Sequence, residues 1–228
     1  MGEYRYQLHT HTSPCSKCGA MNNLEFCKAL KEYGFAGAVL TNHFIHGNTG
    51  FDRDLPWAEF VAGYERDFIE CKEFAKEFDL DIFFGIEEVV APGRELLCYG
   101  LTPEALYNNP QLRDCSIEEW VKIMHANNVV LIQSHPFREA PYIPVPGTLP
   151  VELMDGVEAY NLKNPEPRMN DDAINFANAY PHLIQVSGGD AHAATQLPFG
   201  GIVTTTRIRT NEELVQILRS GNFTMVTT

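Results

Sequence analysis

The sequence predicts an α/β domain in which parallel strands alternate with helices and close, or nearly close, into a barrel. Three observations carry this. Apolar runs of strand length recur between stretches whose apolar residues step by threes and fours, which is the rhythm of βαβ units. The 228 residues suit one large unit around one core, so 1–228 reads as a single domain with no linker-like stretch inside it. The number of strand and helix repeats fits a closed ring better than an open sheet, with a doubly wound open sheet as the alternative. No internal repeat is detectable, and no Gly-x-Gly-x-x-Gly or Gly-rich phosphate loop with a lysine follows any strand, which weakens nucleotide-fold readings.

The elements follow in order. Residues 4–8 form a short strand that runs into His9-Thr10-His11. Successive strand side chains alternate faces, so the two imidazoles point the same way. Asn22 with Glu25 makes a capping box, and Leu24, Cys27 and Leu30 continue a helix to Gly34. Residues 36–41 read as a buried strand ending at Asn42-His43, and a Gly/Asn/Asp-rich loop leads to Pro56. From Trp57 to Phe78 the apolar spacing is helical throughout, making the longest helix. A buried strand over 81–86 closes on Glu87-Glu88 and forms a hairpin with 95–99 across Pro92-Gly93. Ser116 and Glu119 cap a helix, and the strand 129–133 then runs into Ser134-His135-Pro136. A Pro-rich loop over 141–150 precedes a strand at 156–161, a helix near Asp171 to Ala179 and a strand at 183–186 that ends in Gly189-Asp190-Ala191-His192. A strand over 201–206, a helix capped by Thr210 and Glu213 and stopped by Gly221, and a short closing strand complete the chain.

Composition excludes several classes of function. A formal charge of −13 opposes duplex DNA or RNA, whose backbones require clustered Lys and Arg. A small substrate is expected. No apolar run approaches the ~20 residues of a membrane span, and no leader pattern opens the chain, so no membrane partner and a cytoplasmic address are expected. The six cysteines are too sparse for a disulfide scaffold and read as reduced thiols, one of them a candidate ligand.

Ligand-type residues sit where the strands end: His9 and His11, His43, Glu87, His135, and Asp190 with His192. In a parallel barrel those ends share the face where active sites are built. Taken alone, His43 or His135 would read as a capped or core histidine, Glu87 as a surface charge and Asp190 as a turn cap. Their joint placement points to a polynuclear metal site of imidazoles and carboxylates. His125 lies inside a helix and His182 at the wrong end of a strand, so both read as structural. His46, three residues past His43, is a candidate substrate contact.

The motifs His9-Thr10-His11, Asn42-His43, Gly85-Ile86-Glu87, Ser134-His135-Pro136-Phe137-Arg138 and Gly189-Asp190-Ala191-His192, in this order over nearly the whole chain, resemble the PHP superfamily, named for polymerase and histidinol phosphatase. The resemblance implies a distorted (β/α)7 barrel of mainly parallel strands with two or three divalent metals (Zn, Mn or Fe) at the C-terminal strand ends, and phosphoester hydrolysis. By position it implies one metal on His9, His11, Glu87 and Asp190, a second bridged by Glu87 and taking His135, and a third on His43 and His192. Two positions depart from the commonest pattern. Cys18 stands where many members carry Asp or His before a glycine, with Cys15 as a competing thiol, and Glu95 stands where many carry a histidine. Both are competent ligands.

The expected activity is hydrolysis of a small phosphorylated substrate, a phosphomonoester above all, by a metal-activated hydroxide. Glu87, Asp190 and His192 are the groups closest to that chemistry. Arg138 can clamp phosphate or pair with a neighbour such as Glu139. The leaving group can take its proton from a metal-held water, His46 or His192. The rivals are a metal-dependent hydrolase of a non-phosphate bond, a metal-binding module without turnover, and a nuclease for short single strands. The substrate's identity and the oligomeric state are left open.

Overall fold

A computed structural model describes residues 2–227. The chain runs β1 (Tyr4–Gln7), α1 (Asn23–Glu32), β2 (Gly37–Leu40), α2 (Trp57–Glu77), β3 (Asp81–Phe84), β4 (Ile86–Ala91), β5 (Arg94–Tyr99), α3 (Pro103–Tyr107), α4 (Ile117–Ala126), β6 (Val130–Gln133), β7 (Gly156–Asn161), α5 (Pro167–Ala179), β8 (Ile184–Gly188), β9 (Ile202–Thr204), α6 (Asn211–Ser220) and β10 (Thr224–Met225). The expected capping box at Asn22 is present, as are the side-chain caps by Ser116 and Thr210 and the left-handed Gly221 that stops α6. α5 begins at Pro167, four residues before the expected start, because proline suits the first helical position, where its missing N–H leaves nothing unpaired.

The strands form an α/β fold of two mixed five-stranded sheets, ordered β10-β9-β1-β2-β3 and β4-β5-β6-β7-β8. This differs from the expected single barrel of mainly parallel strands. β1, β2 and β3 are parallel, as are β6, β7 and β8, but β4, β5 and β6 pair antiparallel, and so do β1, β9 and β10. The physical reason is connection length. β4 and β5 are joined by the Pro92-Gly93 turn alone, too short for the crossover that parallel pairing requires.

Between β3 and β4 the chain passes from one sheet to the other at Gly85. A Cβ there would lie 2.7 Å from Cys98 O and 2.8 Å from Val39 Cγ1, so only glycine lets the strand bend over its neighbours. The strand expected over 81–86 is therefore broken, and Glu87 sits in the second sheet rather than at the end of the first.

The sheets meet along two seams. Beyond β1, His11 N donates to Ala191 O (2.9 Å) and Ala191 N to His9 O (3.0 Å), and Thr10 bridges Ala191 in parallel. Beyond β2, Glu87 N donates to Asn42 O (3.0 Å) and Phe44 N to Glu87 O (2.8 Å), with His43 bridging Glu87. Tyr6, Leu8, Leu97, Tyr99 and Ile132 fill the space between the sheets, while helices α1, α2 and α4 cover them from outside. Among the described residues no helix is long and apolar enough to cross a membrane.

Candidate metal centre

Both seams end in ligand-type side chains, so the sheet junction is also where the candidate site forms. His9 Nε2 lies 3.1 Å from Glu87 Oε1, His11 Nε2 3.4 Å from Glu87 Oε2, His43 Nδ1 3.0 Å from Glu87 Oε2 and His135 Nε2 3.3 Å from Glu87 Oε1. Glu87 is thus the hub. Asp190 Oδ1 reaches His11 Nε2 at 3.3 Å and His192 Nδ1 at 3.4 Å, and Glu95 Oε2 lies 3.3 Å from His135 Nε2. Four overlapping groups could each hold one ion: His9, His11 and Asp190; His9, Glu87 and His135; His43, Glu87 and Glu95; and His11, Cys18, His43 and His192.

The donors fit divalent cations on a test internal to the structure. His9 Nε2, His11 Nε2, His43 Nδ1 and Glu87 Oε1 are buried without a hydrogen-bond partner, and each such atom costs roughly 1–3 kcal/mol if left unmet. They converge on one another. Protons on the rings or a divalent cation in their place can sit between these imidazoles and the carboxylate, and imidazoles with carboxylates are a donor set suited to such an ion.

The surrounding shell holds the ligands in place. Glu158 Oε1 accepts from His9 Nδ1 at 2.9 Å, which leaves the Nε2 lone pair facing the centre. Its other oxygen accepts from His135 N (3.0 Å) and Asn161 Nδ2 (2.8 Å). A Cβ at Gly188 would stand 1.9 Å from Glu158 Oε1, so the residue facing this carboxylate has to be glycine. Arg138 donates from Nη1 to Asp190 Oδ2 at 2.7 Å, from Nη2 to Asn161 Oδ1 at 2.6 Å and from Nε to Asn164 Oδ1 at 3.1 Å. It steadies Asp190 rather than Glu139, which pairs with Arg168. His135 and Asp190 adopt φ values of 29° and 47°, left-handed conformations that side chains other than glycine rarely take, and strain of this kind gathers where the fold over-determines a functional position.

Electrostatics follow from this packing. Burial pulls the Asp190 carboxyl up, but His9, His11 and Arg138 outweigh it and hold the group well below the usual carboxylate range. Burial, with the Glu87 charge added, pushes Glu95 up to about 7. Burial also raises the Cys18 thiol, but hydrogen bonds from His192 and His43 overcome it and bring the group down to about 6.

All nine expected metal ligands, His9, His11, Cys18, His43, Glu87, Glu95, His135, Asp190 and His192, fall in this one cluster. Cys15 points elsewhere, buried beside Asp67. His46 stands at the rim, its Nδ1 paired with the buried Glu88. His125 pairs with Asp155, remote from the centre, and His182 is exposed. Two neighbours went unread in the sequence. Glu158 lies mid-strand and carried only an ordinary alternation signal. Lys163 follows β7 in a loop, and its Nζ reaches 3.0 Å from His192 Nδ1. That nitrogen is also 2.7 Å from Asp190 O, and a ring nitrogen cannot donate to a carbonyl and accept from an ammonium at once.

The cluster floors a cavity of about 610 Å³, lined also by Asn48, Val89, Tyr142 and Lys163, within the ~300–1,000 Å³ of small-molecule sites.

No protein-family model matches the sequence, and no curated protein matches it. Solved structures do share the fold. One is a two-domain protein from Bacteroides vulgatus containing a predicted PHP-like metal-dependent phosphoesterase; it matches 98% of this chain and 64% of that one, with 15% identity and a TM-score of 0.73. Another is the lesion-specific endonuclease PfuEndoQ from Pyrococcus furiosus, matching 98% of this chain and 58% of that one at 11% identity and a TM-score of 0.64. A third is an amidohydrolase from Chromobacterium violaceum with bound sulfate and no metal, matching 96% of this chain and 97% of that one at 13% identity and a TM-score of 0.59. The chain therefore spans less than two thirds of the first two proteins. The neighbours bear out the PHP resemblance at the level of fold.

Proposed function

We propose that the chain is a metal-dependent phosphoesterase acting on a small phosphomonoester. The observation that carries this reading is that partnerless buried nitrogens of His9, His11 and His43 all face the Glu87 carboxylate, whose own Oε1 is partnerless, at and beneath the floor of an open cavity. On this reading the two seams are the closure of a distorted (β/α)7 barrel, with β1, β2, the bent β3 and β4, β5, β6, β7 and β8 following one another around the cavity. Two or three divalent ions (Zn, Mn or Fe), held by the nine ligands above, would supply Lewis-acid polarisation of a phosphoryl oxygen and a water of lowered pKa.

The chain's own residues do the rest. Glu158 keeps the His9 proton on Nδ1, so Nε2 stays a donor of electrons. Arg138, engaged on three sides, keeps Asp190 aimed at the centre and is a weaker phosphate contact than the sequence suggested. Lys163, with no acidic partner within ion-pair distance among the described residues, is the cation positioned to meet a phosphoryl oxygen. The hydrogen bond that His46 donates to the Glu88 carboxylate raises the imidazole above its ordinary value, so His46 holds a proton where a leaving oxygen would need one.

The charge of −13 and the absence of a cationic track in the cavity lining oppose a nucleic-acid substrate. The test is a panel of a phosphomonoester, a phosphodiester and an amide, assayed with Mn or Zn and with chelator. Monoester hydrolysis abolished by chelation and restored by metal is expected. Turnover of the amide or the diester alone would overturn the reading.

A further inference from the structure

We propose that a second cavity beside the metal cavity is the subsite for the leaving group, and that it selects phosphomonoesters of apolar alcohols; this rests on the phosphomonoester reading above. The second cavity, about 450 Å³, shares His46 and Val89 with the metal cavity as a common boundary. Most of its wall is apolar. Val90 and Ala91 come from β4, Leu112 from the turn after α3, and Ile117 and Trp120 from α4; Leu112 and Trp120 are buried core residues, so these walls are fixed.

The polar groups argue for an apolar or neutral occupant. Arg113 donates from both Nη atoms to backbone carbonyls of Arg53 and Leu55 and lies over the Trp57 ring, so it is not free to bind an anion. The other ionisable lining groups are His46, Glu88, Asp114 and the Cys115 thiol. With Glu88 paired to His46, the Asp114 carboxylate and the lack of a free Lys or Arg in the lining disfavour a second phosphate, a nucleotide chain or an acidic alcohol. His46 stands at the passage, held by the buried Glu88 carboxylate. An ester with its phosphoryl group on the metal-cavity floor and its alcohol in the second cavity has its bridging oxygen near this imidazole.

Each methylene removed from water into an apolar wall favours binding about three- to fourfold. In the wild type, kcat/KM for linear alkyl phosphates should rise by that factor per carbon until the cavity is full. Affinities for non-hydrolysable alkylphosphonates, read by calorimetry on the metal-loaded protein, should rise in parallel. Ile117→Trp and Val90→Trp, both at half-buried wall positions, fill the cavity. They should flatten both series, the slope per carbon being the readout. Turnover with no dependence on chain length, or a dependence that survives both substitutions, overturns the proposal. Phosphonate affinities that climb with chain length without turnover of any ester would instead overturn the phosphoesterase reading and leave the apolar subsite standing.

Discussion

At the scale of single residues, the Glu158 carboxylate fixes which nitrogen of His9 faces inward. His9 depends on Glu158, its one Nδ1 partner, and a carboxylate in that position typically contributes 10- to 100-fold to metal affinity. Glu158→Ala is expected to weaken metal binding by about that factor, with Glu158→Gln milder because its amide oxygen can still accept the proton; competition with a chelator measures both. Equal affinity in the alanine variant would assign Glu158 a packing role only. Cys18 makes a second test. With its thiol near 6 and its side chain partly exposed, it is a thiolate at neutral pH in the metal-free protein, whereas burial raises the thiols of Cys15 and Cys98. Alkylation mapped by mass spectrometry should label Cys18 first without metal and lose that label once Mn or Zn is added. Labelling indifferent to metal would remove Cys18 from the ligand set.

At the scale of elements, the decisive feature is the bend between β3 and β4. It moves the chain from one sheet to the other and delivers Glu87 to the junction, where the hub carboxylate meets histidines from both seams. Gly85→Ala would press a methyl against Cys98 O and Val39, costing about 1–3 kcal/mol by the usual scale of overpacking. The expected result is a lower midpoint in chemical denaturation together with reduced metal content, because the same backbone shift displaces Glu87. Full stability and full metal content would mean that the strand bends without requiring glycine. α2 contributes from outside the sheets. Tyr64 donates to His43 O at 2.6 Å, which fixes the backbone of a candidate ligand from the helix that follows it.

At the scale of the molecule, folding brings carboxylates, imidazoles and a thiol into one cluster, and bound cations are expected to stabilise it. Metal at 1,000 times its Kd should add roughly 4 kcal/mol, or roughly 8–16 °C in Tm at about 2–4 °C per kcal/mol for a domain of this size. Chelation should reverse the shift in a thermal scan, and an unchanged Tm would sink the metal centre. The pH dependence has a definite sign. In the metal-free protein Glu95, at about 7, and Cys18, at about 6, carry protons at lower pH, and those protons must leave before the groups can ligate. Metal affinity should therefore rise with pH through that interval and weaken as pH falls through it, which titration at several pH values would show.

The sequence by itself determined the candidate ligands and their order. His9, His11, His43, Glu87, His135, Asp190 and His192 were legible because each lies at or just past a strand, a local pattern that periodicity and turn chemistry expose. Capping signals likewise placed the starts of α1, α4 and α6, since a cap is satisfied within four residues. The pairing of the strands was not legible, because direction and sheet membership depend on contacts between distant segments: the antiparallel β4, β5 and β6, and the placing of β9 beside β1, are tertiary outcomes. Tertiary structure alone also separated Cys18 from Cys15, paired Arg138 with Asp190 in the cavity lining, and brought Glu158 and Lys163 to the centre. Each of these depends on where a side chain ends in space, and side-chain reach across a fold leaves no period or spacing in the chain to read.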